Sequence, residues 1–348
     1  MDELSALRMA AQRLVGPPAA SPVEAVRLLT AVQGQDLPGA LLSVALRSGS
    51  SRAAVTAALD GGSVVRSWPM RGTLHLTAAE DLPWLLDLLT ERAVRGVEKR
   101  RAVVELTEAD VERARELAMT ALTGGGAMSR SELLAVLAAG GVPTTGQRGY
   151  HLLWWLSQTG TLVMGPTQDG DQLFVLLAEW VPAPTQLDRA EALGELALRY
   201  FRGHGPATVP DLVRWAGTTV RDVQAGLALA REQLDTFTVH GTEHLMDPGT
   251  PQRLAAGRAG AEGVHLLPGF DELVLGYADR TCTVPAEHAE RIVPGRNGVF
   301  RPTVVSAGRV VATWRTGRGK ARPVEVEPFG ELAPGVVAAV EERYATLP

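Results

Sequence analysis

Apolar residues along this chain recur at two spacings, and the alternation between the two repeats three times. Spacings of three and four residues mark helices; alternation and short apolar runs mark strands. The third occurrence is the plainest and begins at Ala192: ALGELALRYFRGHGPATVPDLVRWAGTTVRDVQAGLALAREQLDTFTVHGTEHLMD. A helix runs to about Arg202 and stops at Gly203-His204-Gly205-Pro206. Val209 to Ala216 forms a short helix closed by Gly217, and Thr218 or Thr219 caps a longer one that ends near Gln233. Residues 237–240 and 243–246 then form two strands around Gly241. Helix, short helix, glycine turn, helix and hairpin is the order of a winged helix-turn-helix.

A second copy has a helix over 111–122, a turn at Gly124-Gly125-Gly126, a helix over 130–139 capped by Ser129, and a helix over 145–158. Its strands lie at 162–164 and 172–177. The first 80 residues give a looser version, with helices near 3–15, 22–33, 39–47 and 52–60 and strands at 64–68 and 73–76. Beyond about residue 256, short strand candidates at 264–267, 273–277, 299–305, 309–314 and 323–326 are separated by Gly and Pro, which predicts a small antiparallel sheet or barrel. A helix over 334–344 closes the chain.

One stretch departs from this rhythm. Ser21-Pro22-Val23-Glu24 has the form of a helix start, and Val23, Val26, Leu29 and Val32 continue an apolar stripe. The helix then runs into Gln33-Gly34-Gln35-Asp36-Leu37-Pro38. On a helix, residues two apart face different sides, so the two glutamines share no task there. Fraying at Gly34, which both Gly34 and Pro38 encourage, lets the two amides converge. An ordinary polar helix end is the plain alternative.

Composition narrows the function classes. With 348 residues, 45% apolar and 21% charged, the chain is globular and long enough for two or three domains. No apolar run approaches the roughly 18 residues of a membrane span, the N-terminus is charged and amphipathic, and a single cysteine, Cys282, excludes an internal disulfide and a cysteine-rich zinc site. These features predict a cytoplasmic protein. Net charge is −5, yet residues 291–322 hold eight basic residues and no Asp or Glu. A second basic cluster, Arg92, Arg95, Lys99, Arg100 and Arg101, sits where a helix C-terminus favours cations in any case.

Gln33-Gly34-Gln35, SWPMRGTLHL (Ser67 to Leu76), LLPGFDELVLGYADR (Leu266 to Arg280) and GRVVATWR (Gly308 to Arg315), in that order, resemble one family. They are similar to the bacterial winged-helix DNA glycosylases of the AlkZ/YcaQ type, which unhook bulky alkylguanine adducts and interstrand crosslinks. With the periodicity, the resemblance implies an α+β fold of three tandem winged helix-turn-helix units followed by a small C-terminal β-barrel. The corresponding boundaries are 1–105, 106–185, 186–255 and 256–348. In that family a Gln-x-Gln motif is catalytic, which points to Gln33 and Gln35. Its middle residue is usually apolar, and Gly34 departs from that pattern. A related type carries Asp as the second member; Gln35 followed by Asp36 fits the Gln-x-Gln type by position.

The chemistry suits amides. A guanine alkylated at N7 is already cationic and departs as a neutral base, so little acid assistance is needed. Placing a water and stabilising an oxocarbenium-like sugar remain, and a pair of amides supplies both. Strand nicking needs an amine nucleophile, and neither lysine lies near a first-domain motif, so the expected enzyme is monofunctional. It requires no cofactor and no metal, and acts as a monomer on double-stranded DNA carrying alkylated guanine, in DNA repair or self-resistance to a DNA-alkylating natural product. Candidate DNA-binding residues are Arg71, His75, Arg280, Arg301, Arg315, Arg318 and Lys320. Arg71 and His75 flank Thr73 on one strand, where an internal salt bridge and hydrogen bond are an equal alternative. Asp271 and Glu272 read as an ordinary capped turn, and His240 and His244, on a hairpin, lack the geometry of a zinc pair. Trp154 and Trp155 read as core. Gly317-Arg318-Gly319-Lys320 lacks the spacing of a phosphate loop. The competing function is a non-catalytic winged-helix DNA-binding protein or transcription regulator.

Overall fold

The computed structural model describes residues 2–318 and 323–348. The chain forms two compact units: Met1–Val55 joins Leu193–Pro348 in the first, and Thr56–Ala192 makes the second. Mixed helix and sheet is therefore observed, as expected.

In the second unit four antiparallel strands run in the order Thr73–Ala78, Val64–Met70, Leu162–Gln168, Asp171–Leu176. The first hairpin pairs Val64 with Ala78 and Ser67 with His75, then breaks register before Met70 and Thr73. Helices Glu108–Leu122 and Arg130–Ala139 start at Thr107 and Ser129, each closing a reciprocal cap with the acid three residues on. Together with Gln147–Gln158 they bury Val111, Leu122, Leu133, Leu152 and Leu156 against Trp68 and Phe174. Trp154 and Trp155 pack on that core, as their periodicity predicts.

In the first unit, helices Val209–Ala216 and Val220–Ala230 and the hairpin Asp235–Val239/Thr242–Met246 appear where the pattern puts them. The C-terminal strands differ from expectation. They form an open antiparallel sheet in the order Val324–Pro328, Arg309–Thr316, Thr303–Ser306, Val264–Leu267, and its two edge strands do not pair with each other among the described residues. No closed barrel is found. The 273–277 strand is instead a one-turn helix, Glu272–Leu275, because Asp271 accepts the Leu273 N–H and caps a helical turn. Pro38 starts a helix, Leu37–Ser48, rather than stopping one. A helix absent from the apolar pattern, Thr250–Ala261, packs on Glu3–Ala11 and on the turn after it, where a Cβ on Gly257 would lie 2.3 Å from the Gly16 nitrogen.

A buried ion pair ties the two halves of this unit. Both Arg47 terminal nitrogens lie 2.8 Å from the Asp271 carboxylate, and Ser43 donates to it at 2.7 Å. Burial alone pushes the Asp271 carboxyl upward, but the Arg47 charge and these hydrogen bonds outweigh it and hold it below the usual carboxylate range. Removing one partner leaves the other charged in a dry interior. Arg47→Met should therefore cost about 3–5 kcal/mol of unfolding free energy. Chemical denaturation checks this; a loss below about 1 kcal/mol would show that the pair does not hold the unit together.

Candidate active site

The segment carrying Gln33 is shaped by an early helix end. Ser21 accepts the Glu24 N–H at 3.3 Å and starts Pro22–Leu29, but the helix stops four residues before Gln33 rather than fraying at Gly34. Thr30 follows at φ 67°, an uncommon conformation for a β-branched residue, costing of the order of 1–3 kcal/mol. Crowding maintains this ending: a Cβ on Gly203 would lie 2.2 Å from the Leu28 carbonyl oxygen, so only glycine lets Arg189–His204 approach so closely. The chain then extends through Val32–Gln33, where residues two apart turn to one side.

The two amides meet. Gln33 Nε2 donates to Gln35 Oε1 at 3.4 Å, and Gln33 Oε1 accepts the Gly34 N–H at 3.1 Å. Gln33 is buried and Gln35 exposed, so the pair spans the boundary between protein and solvent. Gly34 is not among the glycines at positive φ, so its backbone conformation is open to other residues. These contacts use one N–H and one lone pair of the Gln33 amide, leaving it another of each for a ligand.

Glu272 lies directly behind. Its Oε1 accepts the Gln33 backbone N–H at 3.3 Å; its Oε2 accepts from Trp215 Nε1 at 2.9 Å and faces His204 Nε2 at 3.3 Å. Glu272 and His204 are 0% exposed and Trp215 is 1% exposed. His204 stacks on Tyr200 with centroids 4.6 Å apart. Sequence reasoning is right that Asp271 is a cap and misses Glu272. The available signal is two adjacent acids inside an apolar run, LLPGFDELVLG, where burial has to be compensated.

Arg71 and His75 belong to the second unit. His75 is fully buried, its Nδ1 2.8 Å from the Thr73 carbonyl and its Nε2 3.2 Å from Arg71. Arg71 has only donors and the carbonyl only accepts, so His75 is neutral, donating through Nδ1 and accepting through Nε2. Burial first, and the Arg71 charge second, push its pKa down to about 3. Arg71 itself is half-buried.

Among the remaining basic candidates, the acid-free run in sequence is not acid-free in space. The strand Val324–Pro328 lies beside Arg309–Thr316 and brings Glu325 to Arg315 at 2.6 Å and Glu327 to Arg301 at 3.5 Å. Arg318 is exposed, Arg280 lies over the Phe300 ring at 5.1 Å, and Lys320 falls outside the described residues. Among the described residues no group of three His, Cys, Asp or Glu side chains could hold a metal ion. No helix among them is long and apolar enough to cross a membrane.

A family profile described as "DNA glycosylase AlkZ-like" matches residues 26–347. An interstrand DNA cross-link repair glycosylase of Streptomyces sahachiroi is 27% identical, aligned over 99% of this chain and 94% of the relative. The solved structure of the Streptomyces sahachiroi DNA glycosylase AlkZ superposes with a TM-score of 0.81 at 27% identity, over 99% of this chain and 94% of that one.

The His75 geometry has a consequence for stability. The unfolded chain binds a proton on this imidazole near the ordinary value of 6.5, whereas the folded state refuses it until about pH 3. The unfolded state therefore holds more protons between these limits, and stability falls as pH drops through them, by at most about 1.4 kcal/mol per unit. His75→Asn should show a shallower loss of stability between pH of about 6 and about 4 in chemical denaturation. Equal slopes for the two proteins would overturn the assignment.

Proposed function

The chain belongs to the AlkZ-like DNA glycosylase family, and from that premise we propose that Gln33 and Gln35 hydrolyse the N-glycosidic bond of bulky N7-alkylguanine or an interstrand crosslink. The observation that carries this is the 3.4 Å contact between the two amides, one buried and one exposed, on a segment held extended behind a strained Thr30. As the base leaves, the C1′–N9 bond breaks and its electrons neutralise the cationic purine. Water attacks C1′ and its proton passes to solvent. Carbonyl oxygens of the pair face the water protons and the cationic sugar, and the NH₂ groups orient the amides. No amine nucleophile enters, so the strand is left intact at an abasic site.

Duplex binding falls to the helix-hairpin segments. Val209–Ala216 and Val220–Ala230 with the following hairpin have winged-helix order, as do Arg130–Ala139 and Gln147–Gln158 with theirs; a third such unit at the N-terminus and four domains divided near 105, 185 and 255 complete this reading. Arg71, oriented by neutral His75, contacts phosphate, and so do Arg280, Arg301, Arg315, Arg318 and Lys320. The glutamate partners of Arg301 and Arg315 are exposed, and such pairs are worth about 0–1 kcal/mol, so an incoming phosphate exchanges for them at little cost. A monomer acting in the cytoplasm on alkylated duplex DNA, without cofactor or metal, completes the proposal.

Two measurements test it. Gln33→Ala and Gln35→Ala should each slow single-turnover base release on the order of 10²-fold or more, about 3 kcal/mol, with duplex affinity and melting temperature nearly kept. Unchanged rates in both would remove the catalytic pair. Arg315→Ala should weaken binding to every duplex alike and lower the slope of log affinity against log salt by about one. A slope equal to that of the unsubstituted protein would remove Arg315 from the interface.

A further inference from the structure

We propose that Glu272 is a positioning residue of the glycosylase reaction, an ionised carboxylate without a cationic partner, fixed behind Gln33. It holds the backbone that carries the catalytic amide and favours positive charge developing on the sugar. This rests on the reading of Gln33 as catalytic and adds a charged group to it.

Hydrogen-bond chemistry fixes the charge. The Gln33 backbone N–H and the Trp215 indole N–H only donate, and both point at the carboxylate. His204 Nε2 also faces it, while His204 Nδ1 is buried with no hydrogen-bond partner among the described residues. A proton on Nδ1 would leave a buried N–H unsatisfied, the rarer and costlier omission; a bare lone pair there is tolerated more readily. The proton therefore sits on Nε2 and points at Glu272, and His204 is neutral. Three donors converge on a carboxylate that no acceptor faces, so Glu272 carries its negative charge.

Nothing cationic neutralises it. Arg47, which binds the adjacent Asp271, spends both terminal nitrogens on Asp271, Ser43 and Gln12. Among the described residues Glu272 pairs only with His204. Asp271 and Glu272 are thus adjacent buried acids with opposite fates, one neutralised by an arginine and one left bare against Gln33. An uncompensated buried charge is costly, and the group it favours is a cation beside it. The reaction supplies such a cation at its transition state, the oxocarbenium-like sugar. Position is built in as well, since the carboxylate grips the very residue whose amide faces the reaction. Close packing holds the acid in register: a Cβ on Gly276 would lie 2.8 Å from the His204 ring.

Glu272→Gln keeps the shape and removes the charge. Its carboxamide presents one oxygen and one NH₂, so either Gln33 or Trp215 meets a donor in place of an acceptor. Single-turnover base release from a duplex bearing one N7-alkylguanine should fall about 10- to 100-fold, while affinity for that duplex changes less than about threefold. Glu272→Asp, which restores the charge with a shorter reach, should recover part of the rate. Melting temperatures identify the folded variants, and the shorter acid carries the test should the amide variant not fold. A residue with a merely structural role would lower the melting temperature and leave the rate per folded molecule unchanged; that result overturns the proposal. Gln33→Ala, measured alongside, separates the two claims. An inactive Gln33→Ala with a fully active Glu272→Gln sinks this inference alone, whereas full activity in both sinks the catalytic pair beneath it.

Discussion

Burying two adjacent carboxylates in one turn is the constraint around which the first unit is organised. Asp271 and Glu272 are 2% and 0% exposed, and each would be prohibitive without partners. The partners come from distant parts of the sequence. Arg47 reaches Asp271 from the helix Leu37–Ser48 and Gln12 from the end of Glu3–Ala11; Gln12 donates to the Tyr277 hydroxyl at 2.9 Å, which donates to the His204 carbonyl at 2.7 Å. His204 then faces Glu272 through its ring. A hydrogen-bonded circuit returns to the motif that began it. This circuit gives residues 1–55 and 193–348 a reason to fold as one unit, because Asp271 takes its arginine and serine partners, and Glu272 one of its three hydrogen-bonding partners, from residues 1–55.

That arrangement bears on the site because a rigid polar scaffold is what a strained segment needs. Thr30 at positive φ and the abrupt helix end before Gln33 persist only if their surroundings enforce them. The close approach at Gly203 presses from one side, and the Glu272 hydrogen bond to the Gln33 backbone anchors the other. An amide pair has no charge of its own and gains its effect at a transition state from being held in place beforehand. The contacts that pack this segment are therefore the same ones that hold the proposed catalytic pair in place.

Most helices and hairpins were legible in the sequence because their signals are local. Ser129 with Glu132 and Thr208 with Asp211 announce helix starts, and Gly217 announces a helix end, each by a short-range hydrogen bond or a left-handed residue. The failures share a cause. Strand-like LVLGY is a helical turn because a buried cap overrides β propensity, and Thr250–Ala261 carries no apolar stripe because Leu254 is the one large apolar residue among its buried positions, the rest of the helix being mostly small or polar. Strand density predicts a sheet or a barrel without distinguishing them, since it records how many strands exist and is silent on whether their edges meet; the family resemblance alone implies closure, and the sheet is open. The contact between Gln33 and Gln35 is expected from their motif, whereas the surroundings of Glu272 are not, since His204 and Trp215 reach it only through tertiary packing.

The charge pattern shows the same limit from the other side. A run of residues without an acid reads as a positive surface, but antiparallel pairing sets Glu325 against Arg315 and brings Glu327 to Arg301. The positive field there is weaker than the sequence suggests, and the pairs are exposed enough to open. Two histidines make the complementary point. His75 accepts from the Arg71 cation and donates to the Thr73 carbonyl, whereas His204 turns Nε2 to the Glu272 carboxylate, so the neighbour decides which nitrogen carries the proton. Arg71 and Glu272 are the charged residues beside these rings, each within its own unit. The sign of the neighbouring charge thus fixes what each ring does, and for His204 that neighbour lies 68 residues away in sequence, so its tautomer is a product of folding and not of local pattern.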